Sequence, residues 1–164
     1  MARIKLQLNG FDDLLEQIQK AGGDVNQAAE QCIRESANIM HDELKAAAQS
    51  SGMDGGLVAR MPQPEITVSG NRYTAKVGYK MGNYDPDNPS DGFKAAFWNF
   101  GTPNRQTSDD KQHVRINGKW VTLGRSRGAI AEHGYIAKAK KAAAPKIKKA
   151  QKATLQEILG RLSG

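Results

Sequence analysis

Ile4, Leu6 and Leu8 alternate with Lys5 and Gln7, a period of two that predicts a short half-buried strand ended by Asn9-Gly10. The period then changes. Phe11, Leu14, Leu15 and Ile18 recur at helical spacing, with Asp12 and Asp13 in the first turn and Gly22-Gly23 as the stop. Asp24 is a good N-cap for a second, longer helix, in which Val25, Ala28, Ala29, Cys32, Ile33, Ser36, Met40, Leu44 and Ala47 trace one face. Glu30, Glu35, Asp42 and Lys45 take the opposite face, and His41, off the apolar stripe, reads as a surface residue. The helix is expected to end near Gln49, before Ser50-Ser51-Gly52 and Asp54-Gly55-Gly56.

From Gln63 the alternation returns. Ile66 and Val68, then Tyr73, Ala75, Val77 and Tyr79, flank Gly70-Asn71 and predict an antiparallel hairpin. Residues 83–92, rich in Pro, Asp and Asn, read as a loop. In 95–103 three large aromatics, Phe97, Trp98 and Phe100, precede a Gly101-Thr102-Pro103 turn, a density that reads as a short element driven into the core. The spacing over 93–100 fits a short helix or a buried strand, and Lys94-Ala95-Ala96 tips it towards a helix. Residues 103–111 read as a polar loop and 124–128 as a flexible stretch. Between them His113-Val114-Arg115-Ile116, Asn117-Gly118 and Lys119-Trp120-Val121-Thr122-Leu123 form the clearest local signal, an Asn-Gly hairpin. Such a ribbon either packs on a neighbouring subunit or folds back on its own sheet.

A helix over about 132–162 follows, with Tyr135, Ile136, Ala139, Ala143, Ile147, Ala150, Leu155, Ile158, Leu159 and Leu162 as apolar positions; at Pro145 it either kinks or starts anew. The expected fold is α+β and a single domain over 1–164: an antiparallel sheet packed against the long helix of the N-terminal half and the C-terminal helix, with a hairpin inserted at about 104–128. Segments 50–64, 82–92 and 103–112 are expected to be its least ordered parts.

Charge changes the picture in one place. The 164 residues carry a net charge of +7, but the chain through Glu65 carries −4 and the remainder +11. Lys138, Lys140, Lys141, Lys146, Lys148, Lys149 and Lys152 occur with no acid between Glu132 and Glu157. Read as wrapping around the helix, they make a broad positive field that attracts phosphate, with Lys138, Lys141, Lys148, Lys149 and Lys152 as the candidate contacts to DNA. The bland alternative is a solvated helix face.

Other chemistry is thin. Cys32 is the single cysteine, which excludes an internal disulfide and a cysteine-based zinc cluster, and its helical position reads as a small buried residue. His41, His113 and His133 share no ligand spacing, so no metal is expected. No serine sits in a nucleophile turn, Gly52 to Gly56 lacks the Lys-Ser/Thr of a phosphate loop, and Asp109-Asp110 lies among polar residues where nothing raises a carboxyl pKa. No stretch approaches the roughly 20 apolar residues of a membrane span, and with no signal-like apolar run at the N-terminus a cytoplasmic protein is expected.

Four landmarks in order carry a resemblance. They are Asn9-Gly10-Phe11-Asp12-Asp13-Leu14-Leu15, the long helix ending in a Gly-rich loop at Gly56-Leu57, Phe100-Gly101-Thr102, and Gly134-Tyr135-Ile136-Ala137-Lys138-Ala139. Together they resemble the tail-completion, or head-to-tail joining, family of long-tailed bacteriophages over nearly the whole chain. Asn99 stands where that family has Glu, Trp98 where it has a small aliphatic and Ala137 where it has Arg, and the Thr before Gly56-Leu57 is missing.

The resemblance implies a structural virion protein of the neck or tail, present in the host cytoplasm during assembly, with no enzymatic activity, catalytic residue or cofactor. It implies a monomer that joins a hexameric ring around the DNA channel, between head-completion or connector proteins and tail-tube or tail-terminator proteins. Phe97, Trp98, Phe100, Gly101, Thr102 and Tyr135 are then the core signature, and Arg105, Trp120 and Val121 the subunit or partner contacts. The competing expectation is a nucleic-acid-binding module that uses the lysine-rich helix.

Overall fold

The computed structural model describes residues 3–6, 12–69, 72–82, 85, 88–103, 106–116, 119–126 and 129–163. Leu8, Phe11, Arg105 and the turn pairs Asn9-Gly10, Gly70-Asn71 and Asn117-Gly118 lie outside them. In chain order the elements are β1 (Arg3–Leu6), α1 (Asp12–Lys20), α2 (Val25–Ser50), α3 (Gly55–Ala59), β2 (Glu65–Ser69), β3 (Arg72–Gly78), α4 (Asp91–Phe100), β4 (Gln106–Ile116), β5 (Lys119–Ser126) and α5 (Tyr135–Ser163). The class is α+β, as the alternating and helical periods predict.

Helix α2 is the centre of the body. Asp24 Oδ1 accepts from the Asn26 and Gln27 amides at 2.8 and 3.2 Å and so satisfies two of the unpaired N–H groups of the first turn. The antiparallel sheet, in the order β1-β3-β2, covers one side of α2 through β3. The register sets Ile4 opposite Val77 and Ile66 opposite Ala75, so the alternation seen in the sequence delivers Ala75 and Val77 to the core. Helix α5 covers another side and runs antiparallel to α2. Gln151 Nε2 donates to Ser36 Oγ at 2.9 Å, the Thr154 hydroxyl meets the Glu35 carboxylate, and Lys146 Nζ lies 2.5 Å from Glu43 Oε1. Ala139 and Ala143, both fully buried, let the two helices approach closely.

The main core joins Ile33, Ala37, Met40 and Leu44 of α2 to Val77 of the sheet and Tyr135 of α5. A smaller cluster of Ile18, Ala28, Cys32 and Leu155 docks α1 against both long helices. Each fully buried Leu or Ile contributes on the order of 2 kcal/mol of transfer free energy. Burial, with Glu35 as the smaller cause, pushes the Cys32 thiol up to about 11, which keeps it protonated and unreactive.

Several expectations are corrected. His41 is buried, at 4% exposure, because the sheet and α5 cover α2 together and widen its buried arc beyond a single stripe; Ala37, Leu44 and Ala48 surround its position on the helix. Segment 50–64 is not simply a loop but holds α3. Asp54 Oδ1 accepts from the Leu57 amide at 2.8 Å, and Leu57 and Val58 are buried, a cap and an apolar pair that outweigh the low propensity of Gly55-Gly56. Residues 106–112 and 124–126, expected to be loop, belong to β4 and β5. The polar run misled because a register shift falls between Gln106 and Lys111, where the alternation breaks. Helix α5 runs through Pro145 without a new start; Pro145 is exposed, on the side away from α2.

Candidate assembly surface

The aromatic stretch forms α4, the helix that Lys94-Ala95-Ala96 favoured, and its small residues rather than its large ones face inward. Gly92, Ala95, Ala96 and Asn99 are buried, whereas Phe97 and Trp98 are half-buried and Phe100 is 56% exposed. The expected core role of Phe100 is therefore overturned. The reason is close approach: a Cβ on Gly92 would sit 2.2 Å from the Lys80 carbonyl oxygen, so the inward face has room only for small groups. Phe100, the last residue of the helix, is left exposed beyond that packed face. At the start of the helix Arg60 grips Asp91 with two hydrogen bonds of 2.9 and 3.1 Å, which holds the Asp91 carboxyl below its usual range.

The C-terminal end of α4 is bound to the chain that leads into α5. The His133 and Gly134 amides donate to the Trp98 and Asn99 carbonyl oxygens at 3.3 and 3.0 Å, which satisfies two of the free carbonyls at the helix end. Asn99 also works in the other direction. Its Oδ1 accepts from the Ile136 amide at 2.9 Å, in the first turn of α5. Gly134, whose carbonyl accepts from the Lys138 amide, occupies the cap position of α5 and has no side chain to offer, so Asn99 supplies that cap from a different helix. The Trp98 ring stacks flat on His133, with centroids 4.0 Å apart and planes 6° from parallel, and its Nε1 donates to Ser51 Oγ at 2.8 Å.

Gly101 and Thr102 close the arrangement. Gly101 has φ +69° and ψ −179°, a region essentially reserved for glycine, and a Cβ there would lie 2.6 Å from the Ile130 carbonyl oxygen. The Thr102 amide donates to that oxygen at 2.9 Å, while Thr102 Oγ1 accepts from the Ile130 amide at 3.1 Å. Tyr135 is fully buried, and burial pushes its hydroxyl far above the ordinary phenol range. Of the expected core signature Tyr135 lies in the core, while Gly101 and Thr102 are half-buried in the clamp, joined there by two residues that sequence reasoning missed. Asn99 registered only as a departure from a family pattern, and His133 as a loop residue; neither the cap across two helices nor the stack leaves a periodic signal.

This clamp is the root of an arm. Between Thr102 and Ile130 the chain leaves the body, forms the antiparallel ribbon of β4 and β5, and returns. The ribbon is a sheet of its own, separate from β1-β3-β2, and among the described residues no other element packs extensively on it. Of the two expectations for this hairpin, folding back on its own sheet is not what the structure shows, since β4 and β5 pair only with each other. Trp120 pairs in register with Arg115 and is 72% exposed; Val121 stands opposite Val114. Lys138, Lys141, Lys148, Lys149 and Lys152 are all exposed on α5, a separate surface from the arm. No group of three or more His, Cys, Asp or Glu with metal-binding geometry occurs among the described residues.

No family model, curated protein or solved structure matches this chain. The geometry of clamp and arm therefore stands beside the sequence resemblance alone.

Proposed function

We propose that this chain is a structural virion morphogenesis protein that joins or completes the tail at the head-tail interface of a long-tailed bacteriophage, as one subunit of a ring around the DNA channel. The arm is the observation that carries the reading. A two-stranded ribbon is marginal by itself in water, and its outer strand edges present unpaired backbone groups. Here it is held out from the body on a tightly bonded root and bears an exposed tryptophan near its tip. A ring closes through heterologous contacts, in which each copy presents one patch and receives another. An arm that reaches a neighbouring copy meets that requirement, and Trp120 is the type of aromatic anchor that dominates such contacts. The resemblance adds support, because two of its landmarks take part in the clamp: Thr102 pairs with Ile130, and Asn99, next to Phe100-Gly101-Thr102, bonds Gly134 and Ile136.

Electron microscopy of lysates from a phage with a nonsense mutation in this gene tests the proposal. The expected result is filled heads and finished tails lying separate, with joined particles restored when the protein is supplied. Normal infectious virions in its absence would overturn the reading.

A further inference from the structure

The packing of α5 fixes which way its lysines face. Ala139, Ala143, Gln151, Thr154 and Leu155 are buried, which defines the inward side of the helix. At 3.6 residues per turn, Lys138, Lys141, Lys148, Lys149 and Lys152 then fall within an arc of about 100° that faces away from Ala143 and Thr154, with buried Leu155 at its border beside Lys148. The seven lysines do not form one diffuse belt. Lys140 and Lys146 lie off the arc, and Lys146 is tied to Glu43. The remaining five are exposed, and among the described residues none of them is in an ion pair. Glu157, the single acid of α5, lies off the arc and holds Arg161.

We propose that these five lysines form a rail that binds the phosphate backbone of duplex DNA. From Lys138 to Lys152, fourteen helical steps, the rail runs about 21 Å, roughly six base-pair steps of a polymer that carries one negative charge per about 1.7 Å. What lies on the arc between the lysines favours this partner over an acidic protein. Between Lys138 and Lys152 only Pro145 shares the arc and Ala142 borders it, so this stretch of the face lacks a large apolar or aromatic side chain to serve as the anchor of a protein interface; Leu159, about two turns beyond, packs against the cluster of Ile18 and Leu155. Lysine also supplies point charges suited to a repeating polyanion rather than the planar fork that selects one carboxylate. The rail is sequence-independent in its chemistry and does not depend on the arm.

Fluorescence anisotropy of a labelled mixed-sequence duplex of about 30 base pairs, titrated with the full chain at about 50 and 200 mM salt, is the test. One variant carries Lys138→Gln, Lys141→Gln, Lys148→Gln, Lys149→Gln and Lys152→Gln. A charge-matched control carries Lys5→Gln, Lys76→Gln, Lys80→Gln, Lys94→Gln and Lys140→Gln, all exposed and off the rail. Lys and Gln have similar helix propensity, and circular dichroism melts verify that both variants fold. The wild type is expected to lose affinity by about 100-fold or more between the two salt concentrations, with a limiting slope near −4.5 for five phosphate contacts. Removing the rail should weaken binding at low salt by about 50-fold and flatten the slope, whereas the control should change it by less than about 5-fold. Equal losses in the two variants, or no salt-dependent binding by the wild type, would overturn the rail. So would displacement of the duplex by polyglutamate as effective, per charge, as displacement by unlabelled duplex, which would make an acidic protein the partner. An arm substitution that leaves this titration unchanged while blocking virion assembly keeps the two proposals distinct.

Discussion

The clamp and the arm are consecutive in sequence and opposite in construction. In the clamp the inward face of α4 carries small residues, the helix-end carbonyls of Trp98 and Asn99 are paired, and one asparagine side chain caps a second helix. In the arm two long strands pair with each other, and the largest described side chain faces solvent. The body's stability is thus expected to depend on the first and hardly at all on the second. What the arm contributes is surface. The contrast separates residues whose loss unfolds the protein from residues whose loss leaves it folded and unable to assemble.

The largest effect tests the core on which the clamp rests. Leu44→Ala removes a fully buried side chain from α2 and should cost about 3 kcal/mol in a denaturant titration, within the usual range for such cavities. Next is Gly101→Ala. It forces a side chain into a glycine-only conformation and against the Ile130 carbonyl, and should cost about 3 kcal/mol. If Gly101→Ala melted like the wild type, the clamp would not be the rigid root described.

Asn99→Ala should cost about 1 to 2 kcal/mol, because the Ile136 amide loses its acceptor inside the protein. Asn99→Asp keeps an acceptor at the N-terminal end of α5, where negative charge is favoured, and should recover most of that loss. Failure of Asp to outperform Ala would mean that Asn99 acts by packing rather than by capping. Trp120→Ala should shift stability by no more than about 0.5 kcal/mol, as expected for an exposed site, and a larger loss would show that the arm is packed on the body.

The smallest effect concerns pH. Because the bond to Arg60 lowers the folded-state pKa of Asp91, its contribution is present above the ordinary carboxylate pKa of about 4 and is lost as pH falls through the lower folded value. Both groups are substantially exposed, so the contribution is small. Arg60→Met should therefore be slightly less stable than the wild type near neutrality, with the difference vanishing in acid. A difference that grew in acid would contradict this assignment.

Much of the body was legible in the chain. The alternation at Ile66, Tyr73, Ala75 and Val77, the capping Asp24 and the run from Val25 to Ala47 each name their element, because one periodic face is buried. Where two neighbours cover one helix the rule weakens, and His41 was placed on the wrong side for that reason. The aromatic stretch shows a second limit. Apolar bulk predicts burial unless close packing admits only small groups, and at α4 the alanines and Asn99 occupy the interior while Phe100 is turned out. The clamp's bonds join residues some thirty positions apart, and the five lysines named from the sequence are seen to share one face only once the buried side of α5 is known. The clamp has no local signature, whereas the lysine run shows in the sequence and only its shared face does not.

The most direct test of the account is complementation of the nonsense phage with a chain in which residues 106–126 are replaced by a short Gly-Ser linker across the clamp, scored by electron microscopy beside a thermal melt of the purified variant. The account predicts a melting profile close to that of the wild type, together with filled heads and tails that remain unjoined. Infectious particles at the wild-type level would contradict it, because the arm would then have no part in assembly.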